Sequence, residues 1–351
     1  MKRILFVDDE SRVLSGLRRQ LFARRGEWDM AFAESGPAAL EELARQPADA
    51  IVSDMRMPGM DGAQLLARVA QEHPRTARLV LSGHADPDRV QVARSCAHRY
   101  LHKPCPPETL QAEVARALAV RESLDRLGWA LAHRLWSTPP SNVREAGAAF
   151  TALAENADAA AVAAEVEREL SADAGLASRV AALLAGAAPP RRALLPIILA
   201  IRFHEGFLAD AGEAGWRRAT ALAARAAAVA GSEALPLDVA LHAATAAVLL
   251  PLAEARDEPA ARREILEYLL PTWGFADAVI AAVGHRDQPS ACPASHAPTL
   301  ALLAAAELLL GWSDPSRAAS PERQACLEAF LKDRGWAASR ERWPAAAALP
   351  A

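Results

Sequence analysis

Within its first 122 residues the chain carries five short aliphatic or β-branched runs: ILFV (4–7), WDMAFA (28–33), AIVSD (50–54), RLVLSG (78–83) and RYLHK (99–103). Each run is of strand length. Between them, apolar residues return with helical spacing, as at Val13, Leu14, Leu17 and Leu21, or Leu65, Leu66 and Val69. Five βα units in this length predict an open, mostly parallel sheet with helices on both faces. Such a sheet presents its working residues at the carboxyl ends of its strands.

Those ends are polar. Asp8 and Asp9 follow the first run, Asp54 closes the third, Ser82 the fourth and Lys103 the fifth. In one parallel sheet all five converge on one edge. Three carboxylates brought within about 4 Å repel by ~4 kcal/mol per pair at an effective dielectric of 20, so a compensating cation is required. Lys103 and a divalent ion are the candidates; Mg²⁺ suits an oxygen-rich site that also receives phosphate. A carboxylate such as Asp54 can act as a nucleophile toward a phosphoryl group.

With this set in view, residues 1–122 resemble the receiver domain of bacterial two-component response regulators, a doubly wound, flavodoxin-like fold. The resemblance implies Asp54, in DMRMPGMDG, as phosphoacceptor, with Ser82 and Lys103 contacting the phosphoryl oxygens and Tyr100 as a rotamer switch. It further implies Mg²⁺ held by Asp9, Asp54 and the backbone carbonyl of Arg56, with Asp8 acting through water, and a cis Lys103–Pro104 bond. The implied partner upstream is a sensor histidine kinase. Downstream it leaves an unknown protein, and leaves open a homodimer through the receiver face or the connector helix.

After Pro107 the grammar changes. From Glu108 to Trp136 there is no proline and one glycine, and Leu110, Val114, Leu118, Leu124, Leu127, Leu131 and Leu135 return at three- to seven-residue intervals, which predicts one helix of about 30 residues, ~45 Å long, running out of the domain. STPPSN (137–142) then breaks the pattern. Residues 143–335 read as helix after helix, with breaks at GAAPP (186–190), GSEALP (231–236), near Pro251 and Pro259, and at HRDQPSACPASHAP (285–298). The expected organisation is a receiver (1–122), a connector (123–140), an all-α output domain (141–312), and a terminal helix and tail (313–351).

ELSADAGLASRVAALLAG (169–186) and YLLPTWGFADAVIAAVGHRDQP (268–289) resemble segments of the HD-related output domain (HDOD), a non-catalytic relative of the HD hydrolases. The chain departs from that pattern at ATAAVLLP (244–251), apolar throughout and read as core. An HD-type cyclic di-GMP phosphodiesterase is the competing reading, and it requires a His-Asp dipeptide with further ligands at one metal. His204, His242, His285 and His296 are followed by Glu, Ala, Arg and Ala, and Asp287 has no partner ligand in the sequence. The chain is therefore expected not to be an enzyme, and Trp216, Trp273 and Trp312 are read as packing anchors. A net charge of -4 gives no basic footprint for direct nucleic-acid binding. Four cysteines without C-x-x-C spacing, no signal-peptide core and no long apolar span point to a cytoplasmic, non-membrane protein.

Overall fold

A computed structural model describes residues 1–83, 96–128, 136, 159–184, 189–207, 212–253, 258–336 and 341–349. The STPPSN break, residues 186–188 of GAAPP and the helix expected between the fourth and fifth strands lie outside the described residues. The chain divides into two compact units, Met1–Ala152 and Leu153–Ala351.

The first unit is built on strands β1 (Lys2–Val7), β2 (Trp28–Ala33), β3 (Ala50–Ser53), β4 (Ala77–Ser82) and β5 (Arg99–His102). They form one parallel sheet in the order β2-β1-β3-β4-β5. β3 and β4 are buried at every position, as strands covered on both faces must be, whereas the edge strand β5 is only half-buried. Helices α1 (Ser11–Gln20), α2 (Gly36–Arg45), α3 (Gly62–Glu72) and α4 (Pro107–Leu127) flank it. Leu5, Val7, Ile51 and Val80 meet Leu43, Leu65, Leu66 and Val69 of α2 and α3 in one core; α4 packs against β3 and β4.

α3 begins on a capping box, in which the Asp61 carboxylate accepts from the Gln64 N–H and the Gln64 side chain accepts from the Asp61 N–H. α4 corrects the expectation of a continuous helix to Trp136. It closes at Leu127, because Gly128 takes the left-handed φ of 56° and gives its N–H to the Leu124 carbonyl. Helical spacing of leucines does not reveal that stop; a single glycine makes it.

The second unit is helical: α5 (Ala159–Ala172), α6 (Ala174–Leu184), α7 (Leu195–Phe207), α8 (Gly212–Ser232), α9 (Leu237–Leu249), α10 (Pro259–Leu269), α11 (Asp277–Gly284), α12 (Ala297–Ser313), α13 (Pro321–Asp333) and the short α14 (Pro344–Ala347). The ATAAVLL stretch lies in α9 and its junction and is buried throughout. α12 is buried on all sides from Leu300 to Gly311, the mark of a central helix. At its middle, Glu307 is 5 % exposed and accepts from Arg286 Nε at 2.8 Å and Arg323 Nη2 at 3.1 Å. Burial pushes the Glu307 carboxyl up, but the Arg286 and Arg323 charges outweigh it and hold the group below the usual carboxylate range. Trp273 is buried edge-on to Phe203 at 5.2 Å, a packing role.

Candidate functional site

The order β2-β1-β3 reverses chain direction across the sheet at β1, so the crevice between the carboxyl ends of β1 and β3 is where a doubly wound sheet exposes backbone to a ligand. Asp8 leaves β1 there and Asp54 leaves β3. The ladder carries on one residue past each strand. Asp8 N–H donates to the Ala33 carbonyl (3.2 Å), Asp54 N–H to the Val7 carbonyl (2.8 Å) and Lys103 N–H to the Ser82 carbonyl (2.8 Å). Three side chains are thus aimed by sheet geometry rather than by a loop.

Lys103 Nζ donates to Asp8 Oδ2 at 2.6 Å and to Asp54 Oδ1 at 2.7 Å. Asp8 is 3 % exposed, Asp54 9 % and Ser82 3 %. Burial by itself lowers the Lys103 ammonium, but its hydrogen bonds to Asp54 and Asp8, with their charges, outweigh burial and raise it. The remaining carboxylate oxygens are occupied by backbone: Asp8 Oδ1 accepts from the Glu10 N–H at 3.0 Å and Asp54 Oδ2 from the Arg56 N–H at 2.5 Å. The Lys103–Pro104 peptide is cis. Tyr100 is half-buried against the Leu5, Val7, Ile51 and Val80 core, its ring edge-on to His102 at 4.9 Å.

Asp9 departs from the sequence expectation of three crowded carboxylates. Its residue is exposed, and among the described residues no three His, Cys, Asp or Glu side chains gather as a metal cluster. Lys103 sits between the two buried carboxylates, Asp8 and Asp54. The oxygen donors that remain nevertheless suit Mg²⁺, which commonly takes one or two protein carboxylates and keeps its waters.

Two residues of the site escaped sequence reasoning. A Cβ on Gly62 would lie 2.0 Å from the Asp54 carbonyl oxygen, so only glycine lets α3 start this close to the acidic edge. Ser53 Oγ donates to that same carbonyl at 2.8 Å. The DG pair opening a helix just after a strand was the available signal for the first; nothing in the sequence marked the second.

In the second unit, His296 lies close enough for its charge to bear on both His242 and His285, but no three His, Cys, Asp or Glu side chains among the described residues form a metal cluster. His285 is buried, with its Nδ1 donating to the Ala281 carbonyl of its own helix at 3.2 Å and Nε2 4.0 Å from Glu267. Desolvation lowers its proton affinity, as it does for His204 and His242. Asp287 is paired with Arg262 at 2.6 Å rather than standing beside a histidine.

A doubly wound sheet with two buried carboxylates bridged by a lysine at its switch point defines a receiver-type signalling domain. Comparison with known proteins places it: residues 4–115 match the family described as the response regulator receiver domain. The N-terminal domain is a response regulator receiver domain. It is 39 % identical over 114 residues to the DNA-binding transcriptional regulator NtrC of Escherichia coli, covering 32 % of this chain and 24 % of NtrC. It is 34 % identical over 115 residues to the response regulator protein FleR of Pseudomonas aeruginosa, covering 32 % and 24 %. Among solved structures, the signal receiver domain of an HD domain-containing protein from Pseudomonas fluorescens is 32 % identical, covering 35 % of this chain and 98 % of that one, with a TM-score of 0.34. The chain thus spans about a quarter of the length of these curated relatives. No helix among the described residues is long and apolar enough to cross a membrane.

Proposed function

We propose that the protein is a cytoplasmic two-component response regulator whose receiver takes a phosphoryl group from a sensor histidine kinase onto Asp54, and whose helical half passes the signal on by protein contact as an HDOD-like, non-hydrolytic output domain. The observation that carries this is the single Lys103 ammonium shared by Asp8 and Asp54 at the switch point. In the transfer, the phosphorus–nitrogen bond to the kinase histidine breaks and a bond from an Asp54 carboxylate oxygen forms, leaving an acyl phosphate. Lys103 leaves Asp8 or Asp54 in part to meet the new phosphoryl oxygens, and the buried Ser82 hydroxyl takes another. Mg²⁺, held by Asp9, Asp54 and the Arg56 carbonyl with Asp8 through water, would supply charge neutralisation of the transferring group. Tyr100 then repacks, and the face around β5 and α4 changes.

Two features support a non-hydrolytic output. The sequence has no His-Asp dipeptide, and Asp287 is committed to Arg262. Direct DNA contact, which the name of NtrC attaches to that protein, is outside the proposal.

Mass spectrometry after incubation with a small phosphodonor and Mg²⁺ tests the receiver. One phosphoryl group is expected on the parent and none on Asp54→Asn; label retained by that variant would place the acceptor elsewhere. Hydrolysis of cyclic di-GMP by the full chain, abolished in His285→Ala, would replace the output reading with a phosphodiesterase.

A further inference from the structure

A charged side chain inside β4 has no part in the site described above. Arg78 is 2 % exposed at the amino end of that strand, the edge of the sheet opposite Asp54. Its Nε donates to the Cys96 carbonyl at 2.7 Å, its Nη1 to the Thr76 carbonyl at 3.2 Å and its Nη2 to the Trp136 carbonyl at 3.0 Å. His98, 5 % exposed and next to β5, lies alongside. His98 Nδ1 accepts from the Arg78 backbone N–H at 3.0 Å, which places the ring proton on Nε2, and that N–H donates to the same Trp136 carbonyl at 2.9 Å. The imidazole lies against the Trp136 indole, tilted by 33° with centroids 4.0 Å apart, and Trp136 is 2 % exposed.

Arg78 and His98 therefore form a slot in which two buried donors converge on one carbonyl, roofed by one aromatic ring. The group that fills it comes from beyond the end of α4, 58 positions after Arg78. Without that carbonyl a guanidinium N–H and an imidazole N–H would both lose a shared acceptor inside the protein, a state buried polar groups strongly avoid. The walls are the strands that carry the phosphorylation machinery. Arg78 shares β4 with Ser82, and His98 immediately precedes β5, which carries Tyr100 and leads into Lys103.

We propose that this slot is an intramolecular docking site through which the receiver grips the connector at Trp136, and that its occupancy answers to the state of Asp54 through β4 and β5. The second half rests on the proposed function; the first does not.

Hydrogen–deuterium exchange of the full-length protein tests both. In unphosphorylated Trp136→Ala, exchange of the Arg78 and His98 amides is expected to rise at least tenfold while β1 and β3 stay protected, and Trp136→Phe, which keeps a ring, should stay near the parent. Parent-like exchange in Trp136→Ala overturns the docking site. So does loss of protection spread across β1 and β3, which would make Trp136 an ordinary core residue. In the parent, phosphorylation with a small phosphodonor and Mg²⁺ is expected to change exchange at these amides at least threefold. No change in protein shown by mass to be phosphorylated on Asp54 overturns the coupling alone. Failure to take up phosphate sinks the proposed function and the coupling together, and leaves the docking site standing on the Trp136→Ala result.

Discussion

Replacing Lys103 by methionine removes the cation and keeps most of the volume. Asp8 Oδ2 and Asp54 Oδ1 both touch Lys103 Nζ, at 2.6 and 2.7 Å, so the two oxygens lie within about 5 Å of each other. At an effective dielectric of about 20, two unit charges at about 5 Å repel by about 3 kcal/mol. That falls at the low end of the 3–5 kcal/mol seen when one partner of a buried ion pair is removed. Lys103→Met should therefore be about 3 kcal/mol less stable than the parent at pH 7. The raised Lys103 ammonium contributes stability that is complete below the unfolded lysine value and lost as pH rises through the folded one. The measurement is urea unfolding followed by exchange protection of β1 and β3 amides at pH 7, with and without Mg²⁺, which should restore part of the loss. A deficit below about 0.5 kcal/mol would refute the claim that Lys103 holds the two carboxylates together.

Gly62→Ala, a change that favours most helices, should here cost about 1–3 kcal/mol and slow phosphorylation, because the new Cβ meets the Asp54 carbonyl at 2.0 Å; urea midpoints and phosphodonor kinetics read it. His98 is held neutral, by burial first and then by the Arg78 charge, so its folded value lies well below the usual one. Its contribution is complete above about pH 6.5 and is lost as the pH falls below it, by about 1.4 kcal/mol for each unit until the folded value is reached. Comparing urea midpoints at pH 7.5 and 5.5 for the parent and His98→Gln, the variant should show the flatter profile. Glu307→Leu would leave Arg286 and Arg323 facing one another without their carboxylate, and should cost the helical unit about 3–5 kcal/mol by denaturant titration.

The sheet and its acidic edge were legible because four of the five strand runs led into a polar residue, and parallel strands bring like ends together without reference to contacts. Asp8, Asp54, Ser82 and Lys103 could be grouped by that rule alone. Asp9 lies on the same edge but is exposed, since spacing gives a residue's place on the edge and not its burial. Arg78 looked like the polar start of an apolar run, and Trp136 like the last position of a long helix. They meet across a separation of 58 positions, with the left-handed glycine at 128 between them, and neither leaves a periodic trace. In the helical half the proline and glycine breaks marked the element ends well. The pairing of Glu307 with Arg286 and Arg323 is tertiary and was invisible.

The buried guanidinium of Arg78 also sets where this protein can be cut. Excision at residue 122, or at the end of α4, would deliver a fragment with every strand of the sheet but with a cation in its interior stripped of the Trp136 carbonyl. Such a fragment invites misfolding for reasons that say nothing about signalling. A recombinant receiver, or a chimera that exchanges the output half, should carry the native chain through Trp136; the unit of inheritance is longer than the sheet it encloses.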